Sequence, residues 1–404
     1  MSRPVQPMIE FEFTDEQILL RKAVREFMEE ELRPLSAEID REGKFPESVI
    51  RKMAIAGYLG APVPEKYGGA GLGKIGYCIL MEEIGRVDAS VGTILGAHSS
   101  LGSSALLYYG TEEQKERYLV PAAKGEKIIS FNLSEPGAGS DASSIQTTAV
   151  RDGDGYTISG SKMWATNGKE ASTYIVFAKT APASEHGEGI TAFVVERGMK
   201  GLSLGREEEK MGIRGSSTMQ VFYDGVHVPE DSVIGGEGKG FQVAMTSLDV
   251  GRISLSACSL GASERAIELA VDYSKKRVQF GRPISEQQAI QFKIAEMGMR
   301  TQLLRYITYM TAWKAEKLGT DPSKWKKEER RQLTREAAMA KCFGSETASF
   351  CVDESLQIHG GVGFVKSSEI ERMYRDARIS EIYEGTNEIQ RMIVGRDIIR
   401  RGWV

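Results

Sequence analysis

The chain has 404 residues, of which 41% are hydrophobic and 27% charged, a composition that excludes disorder and supplies enough apolar surface for two or three packed regions. Lys and Arg total 52 against 56 Asp and Glu, a formal charge of -4 with no dominant basic block, so nucleic acid is not an expected partner. Cys78, Cys258, Cys342 and Cys351 form no CxxC pair, and His98, His186, His227 and His359 lie far apart, which indicates neither a disulfide framework nor a metal site.

The start, MSRPVQPMIEFEFTDEQ, lacks an apolar signal core and turns acidic too early for an Arg-rich transit peptide, so a cytoplasmic location is expected. Thr14-Asp-Glu-Gln matches a capping box, and Leu20, Val24, Phe27 and Met28 follow at helical spacing. Further helices are predicted over 47–55, 76–86 and 112–122. Residues 89–111 carry no formal charge, but Ser90, Ser99, Ser100, Ser103, Ser104, His98 and several glycines make them too polar and broken for lipid. A helix inside protein, with His98 a satisfied buried side chain, is the expectation. Residues 1–128 are thus read as an α-helical domain.

Beyond that point Tyr156-Thr-Ile-Ser, Tyr174-Ile-Val-Phe, Ile190-Thr-Ala-Phe-Val-Val and Met219-Gln-Val-Phe-Tyr alternate with Gly, Asp and Asn turns, which predicts an antiparallel barrel or sandwich over 129–240. Helical spacing returns in Ala262, Ala266, Leu269 and Tyr273, so 241–404 is read as a second helical domain. Within it, the mixed charges of Lys324 to Arg335 around Trp325 suggest a solvated face or loop. The fold class is therefore mostly α with a central β domain.

Five segments carry chemistry: Phe131-Asn-Leu-Ser-Glu-Pro-Gly-Ala-Gly-Ser-Asp141, Gly160-Ser-Lys-Met-Trp-Ala-Thr-Asn-Gly168, Arg277-Val-Gln-Phe-Gly-Arg-Pro-Ile284, Gln357-Ile-His-Gly-Gly361 and Ile382-Tyr-Glu-Gly-Thr-Asn-Glu-Ile-Gln-Arg391. Taken singly each has a bland reading: a turn-rich connection, a core tryptophan, a solvated helix arginine, a loop acid. In this order and at these separations they resemble the acyl-CoA dehydrogenase family, from about Phe13 to about Ile399. The resemblance implies a helical domain, a middle β-barrel and a C-terminal four-helix bundle, with FAD bound partly across a dimer interface in a homotetramer, a dimer of dimers.

By the same resemblance, Phe131, Leu133, Ser134, Gly139 and Ser140 would contact FAD, Trp164 would pack on the isoalloxazine beside Ala165, and Thr166 would bond near flavin N5. Arg277, Phe280 and Gln288 would reach the partner subunit's FAD, as would Gln357, Ile358, His359, Gly360 and Gly361, and Thr386, Asn387 and Glu388 would complete the site. Planar, permanently charged Arg suits a pyrophosphate, and donors near the ring stabilise a reduced flavin. Glu384 would be the base that removes the α-proton of an acyl-CoA, with the β-hydrogen leaving as hydride to flavin N5. Such a base needs desolvation to raise its pKa, and the thioester carbonyl needs donors, supplied in this family by the base's own amide and a flavin hydroxyl. Some branches place the base on the preceding LDxER helix, where this chain has Leu248-Asp-Val-Gly-Arg252 and hence Gly251.

Ser140, Asp249 and Arg252 match contacts to the CoA portion and Gly385 a position lining the thioester; Arg252 reads equally as an ion-pair partner of Asp249 at i, i+3. Glutaryl-CoA oxidising relatives carry an Arg where Gly92 stands, so a neutral acyl chain, short to medium, is expected. Electron-transferring flavoprotein would take the electrons. The rivals are an acyl-CoA oxidase, disfavoured by length, and a nucleic-acid-associated flavoprotein of the same superfamily, disfavoured by charge.

Overall fold

The computed structural model describes residues 12–181 and 187–402; the leader reading over residues 1–11 and the call on His186 fall outside them. The chain begins with α1 (Asp15–Phe27), α2 (Arg33–Glu42), α3 (Glu47–Ile55), α4 (Gly73–Gly85), α5 (Ala89–Leu95), α6 (Ser103–Tyr109), α7 (Glu112–Gln114) and α8 (Val120–Ala123). Thr14 caps α1 in the expected capping box with Gln17. Helices predicted as continuous are interrupted by π-helical turns at Met28–Leu32 and Lys115–Leu119. Each is followed by a proline at the start of the next helix, Pro34 and Pro121, which removes one backbone donor and crowds the preceding turn.

Residues 89–111 are buried helix, again with a π-helical segment, Gly96–Gly102. There His98 is fully buried, its Nδ1 accepting from Ile129 N at 3.1 Å and its Nε2 lying 3.1 Å from the Ala122 carbonyl oxygen. Burial pushes its pKa down to about 4, so it is a neutral brace between helix and sheet. No helix among the described residues is long and apolar enough to cross a membrane.

The central region holds β1 (Ile129–Asn132), β2 (Thr148–Asp152), β3 (Gly155–Thr166), β4 (Thr173–Lys179), β5 (Ile190–Glu196), β6 (Leu202–Glu207), β7 (Thr218–Pro229) and β8 (Val233–Ile234). They form one sheet in the order β6-β7-β3-β2-β4-β5-β8, with β1 also on β4. The expected antiparallel pairing holds except at β4, whose free edge takes β1 in parallel over Thr173–Val176 and β2 in parallel at Lys179. Because β4 and β5 are buried along nearly their whole length, they read as continuous apolar runs rather than alternating ones.

The last third comprises α9 (Gly240–Lys276), a short hairpin of β9 (Val278–Gln279) and β10 (Arg282–Pro283), α10 (Gln288–Leu318), α11 (Lys327–His359), α12 (Glu369–Ala377) and α13 (Asn387–Arg401). Trp325, read from its charged neighbours as part of a solvated stretch, is only 8% exposed: its Nε1 donates to Leu318 O and its ring meets Tyr108 edge-on at 5.8 Å. An indole buries most of its area whenever its N–H finds an acceptor, and charge in the flanking residues does not prevent that.

α9 is the common strut, in contact with α4, α10 and α11. Its approach to α4 is backbone on backbone: a Cβ at Gly261 would overlap the Glu82 carbonyl, and one at Gly85 the Cys258 carbonyl. Around this crossing the fully buried Glu82 and Glu83 are matched by cations from α1 and α10. Arg21 and Arg305 meet Glu82 at 2.9 and 3.1 Å, and Arg25 meets Glu83 at 2.8 Å. Arg86 reaches Glu268 at 2.6 Å. Removing one partner would leave a buried charge uncompensated. Gly261→Ala is accordingly expected to lower the urea unfolding midpoint by the equivalent of about 1–3 kcal/mol, measured by circular dichroism.

Candidate active site

Glu384 lies in the turn between α12 and α13 with φ 54°, a left-handed conformation costly for a side chain with a Cβ. The residue is half-buried, but its carboxylate Oε2 is enclosed and has no hydrogen-bond partner in the protein. A Cβ at Gly251 would sit 2.5 Å from that oxygen and 2.7 Å from Leu101 Cδ2. The bare backbone of α9 thus makes the space the carboxylate occupies, and a side chain at 251 would compete with it. Burial raises the Glu384 pKa to about 7, against the opposing charges of Arg252 and Lys341.

The strained turn is held through its carbonyls. Arg252 Nε donates to Glu384 O at 3.2 Å, Gln390 Nε2 to Glu384 O at 3.2 Å and Gly385 O at 2.9 Å, and Lys341 Nζ to Gly385 O at 2.8 Å. Gly385 follows at φ 88°, which a glycine adopts without strain. Arg252 also pairs with Asp249 at 2.8 Å, while Thr334 Oγ1 donates to the other Asp249 oxygen at 2.6 Å. The ion-pair reading of Arg252 is present in the geometry, and both oxygens of Asp249 are engaged within the chain.

A second group forms where β1 leaves the sheet. Met163 N donates to Ser134 O at 2.8 Å and Ser130 Oγ to Thr166 O at 2.7 Å, so the segments of Leu133–Ser140 and Trp164–Thr166 lie side by side. Beneath them Lys162, fully buried, donates to Leu133 O at 3.1 Å and pairs with Glu135 at 2.7 Å. Burial lowers the Lys162 pKa to about 8 while Glu135 opposes the fall. A register shift between Lys162 and Ala165 in the β3–β7 pairing marks a bulge, and at it Trp164 takes φ 62°. The bulge turns its indole outward to 57% exposure while Ala165 is buried.

The other expected residues fall into two more groups. Arg277, Phe280 and Gln288 flank the β9–β10 hairpin; all three are exposed, and Phe280 is 96% exposed at φ 52°. Gln357, Ile358, His359, Gly360 and Gly361 end α11. His359 stacks on Tyr273 at 4.4 Å, which joins this end to the last turns of α9. Ile358 and His359 point into the protein, so outward contact there comes from backbone and Gln357. Thr386 caps α13 by accepting from Ile389 N, Glu388 is exposed, and Asn387 is buried against Lys341 and Ser345. Ser140 is exposed on its loop.

Sequence reading passed over Lys341, Gln390, Lys162 and Glu135. The last three lie inside motifs already singled out; Lys341, in Ala338-Met-Ala-Lys-Cys, carried only the signal of a lone cation among small helical residues.

Several features of this surface fit a flavin. An aromatic plane stands exposed at a bulge, and Cβ positions at Gly137, Gly139, Gly360 and Gly361 meet nothing within 4 Å, leaving the backbone open to close approach. In this arrangement an enclosed carboxylate stands apart from an open surface that fits a flavin. Residues 14–126, 130–226 and 238–399 match the N-terminal, middle and C-terminal domains of acyl-CoA dehydrogenases. The mitochondrial short-chain specific acyl-CoA dehydrogenase of Bos taurus is 44% identical over 382 residues, covering 95% of this chain and 90% of its own. Butyryl-CoA dehydrogenase from Megasphaera elsdenii superposes with TM-score 0.91 at 41% identity, covering 97% of this chain and 100% of its own. An acyl-CoA dehydrogenase complexed with FAD from Bacillus anthracis superposes with TM-score 0.89 at 36% identity, covering 96% of this chain and 68% of its own.

This chain belongs to the acyl-CoA dehydrogenase family. It is an oxidoreductase with FAD as cofactor. The purified protein should be yellow, with about one FAD per chain, and Trp164→Ala should weaken FAD binding about 3- to 10-fold, as expected for loss of one aromatic stacking contact, read by flavin absorbance after gel filtration.

Proposed function

We propose that the protein removes the elements of hydrogen from Cα and Cβ of a short, neutral acyl-CoA, with Glu384 as the base. The observation that carries this is the Glu384 carboxylate, enclosed and unpartnered at Oε2 and raised to about 7, on a turn locked from three sides. Desolvation makes the carboxylate basic enough to take a weakly acidic α-proton, and the clamps on its turn hold it in place as charge moves. FAD, when bound, accepts the hydride equivalent from Cβ. Phe131, Leu133, Ser134, Gly139, Ser140, Trp164 and Thr166 would hold its ring system. Arg277, Phe280, Gln288 and the end of α11 would serve the FAD of a second subunit.

A short chain is supported by the short-chain and butyryl relatives and by the packing at Gly92. A Cβ there would meet Cys258 Sγ at 2.8 Å, with Ile84 and Met81 close behind, so the space beside Gly92 is filled by uncharged side chains. Exposed Phe292, Met299 and Leu303 on α10, with Phe280, support assembly with further copies, as a homotetramer. Electron-transferring flavoprotein is the proposed acceptor, since most of the similar proteins are named dehydrogenases; hydrogen peroxide at the full turnover rate would count against it.

Glu384→Gln is expected to slow anaerobic flavin reduction by butyryl-CoA about 10²- to 10⁴-fold or more, with FAD content unchanged. Reduction by the parent should rise with pH through about 7, because the carboxylate works only once it has lost its proton. A near-parental rate in the variant would place the base elsewhere. Across a series of acyl-CoAs, Cys258→Ala should move the preference toward longer chains, read as the ratio of kcat/KM values.

A further inference from the structure

We propose that Lys341 is a positioning residue for Glu384: its ammonium clamps the turn that carries the carboxylate and supplies a positive charge beside it. The inference rests on the reading of Glu384 as the base.

Lys341 is fully buried in the middle of α11, where a lysine is costly and a neutral residue would pack as well. Its Nζ donates to two neutral oxygens, Gly385 O and Asn387 Oδ1, both at 2.8 Å. The two acceptors belong to residues one and three positions after Glu384, so one ammonium ties the strained turn to the first residue of α13. Asn387 is itself fixed, its Nδ2 donating to Ser345 Oγ at 3.0 Å and to Glu346 Oε1 at 3.3 Å. The neighbouring cation, Arg252, already shares its charge with Asp249 at 2.8 Å. Lys341 is bound instead by dipoles, which leaves its charge free to act on Glu384.

The groups facing Lys341 are Glu384 on the turn, Arg252 from α9, Cys342 on its own helix and Glu381 from the turn after α12. Those facing Glu384 are Arg252 and Lys341, with Tyr77, Cys258 and Tyr383 as neutral neighbours. Burial lowers the Lys341 pKa to about 8, with Glu384 pulling it back up, as expected of two opposite charges sharing one enclosed space. With the lysine neutral or gone, the carboxylate would face its desolvation with Arg252 alone, and its proton would be held more tightly.

Three variants separate the charge from the clamp. Lys341→Gln keeps a donor and removes the charge, Asn387→Asp keeps the lysine but sets a carboxylate against Nζ, and Gln390→Ala removes a neutral donor to the Glu384 and Gly385 carbonyls of the same turn. Each is loaded with FAD, and anaerobic flavin reduction by butyryl-CoA is followed against pH. In parallel the protonated carboxyl band of Glu384, assigned by difference from Glu384→Gln, is titrated by infrared spectroscopy in the substrate-free protein. The expected result is that both Lys341→Gln and Asn387→Asp move the acid limb and the carboxyl titration up by about one pH unit or more, while Gln390→Ala slows reduction without moving either. An unmoved carboxyl titration in the folded Lys341→Gln or Asn387→Asp protein would overturn the inference. Should Glu384→Gln still reduce its flavin at the parental rate, the base reading falls, and the infrared titration alone then decides whether Lys341 sets the charge state of Glu384.

Discussion

A carboxylate oxygen enclosed without a hydrogen-bond partner is unfavourable, and several elements of this molecule combine to keep Glu384 Oε2 in that state. The space exists because Gly251 has no side chain, and a Cβ there would stand 2.5 Å from Oε2. The turn that delivers the carboxylate is strained at φ 54° and would relax if its carbonyls were released. Donors from α9, α11 and α13 hold those carbonyls, so three helices must be in register before the site exists.

That register is set at a distance by how closely α9 can approach its neighbours. The glycines at the α4–α9 crossing bring two backbones into contact, and a ring of arginines neutralises the acids that this approach buries. Close packing supplies rigidity, and the paired charges keep the crossing from sliding, since any shift would separate ions that have already lost their water. The same helix continues from the crossing to Tyr273 and the β9–β10 hairpin, so the clamp on the Glu384 turn and the exposed hairpin are carried by one rod.

The sheet contributes through a bulge and a buried ion pair. Trp164 is exposed because the β3–β7 register slips, and the loop opposite it is fastened from beneath by Lys162 and Glu135. Glu135 also accepts from Thr147 N at 3.0 Å and from Thr147 Oγ1 at 2.6 Å, which ties the loop to the start of β2. A polar pair with every oxygen engaged holds a loop that has little apolar surface of its own.

What the sequence determined by itself was local and chemical. The capping box at Thr14, the β-branched strand runs and the five motifs, with Glu384 among them, depend on neighbouring residues and on spacing, which a chain displays before it folds. Two of the π-helical turns were written there too, in Pro34 and Pro121, but appear only as irregularities in otherwise helical spacing. The tertiary structure alone decided which polar residues are consumed internally. Asn387 turned inward to Lys341, Asp249 was taken by Arg252 and Thr334, and Trp325 was buried beneath charged neighbours. Partners such as Lys341 and Gly385, 44 positions apart, become visible only when helices meet, because hydrogen bonding and desolvation are set by distance in space and leave no period in the chain.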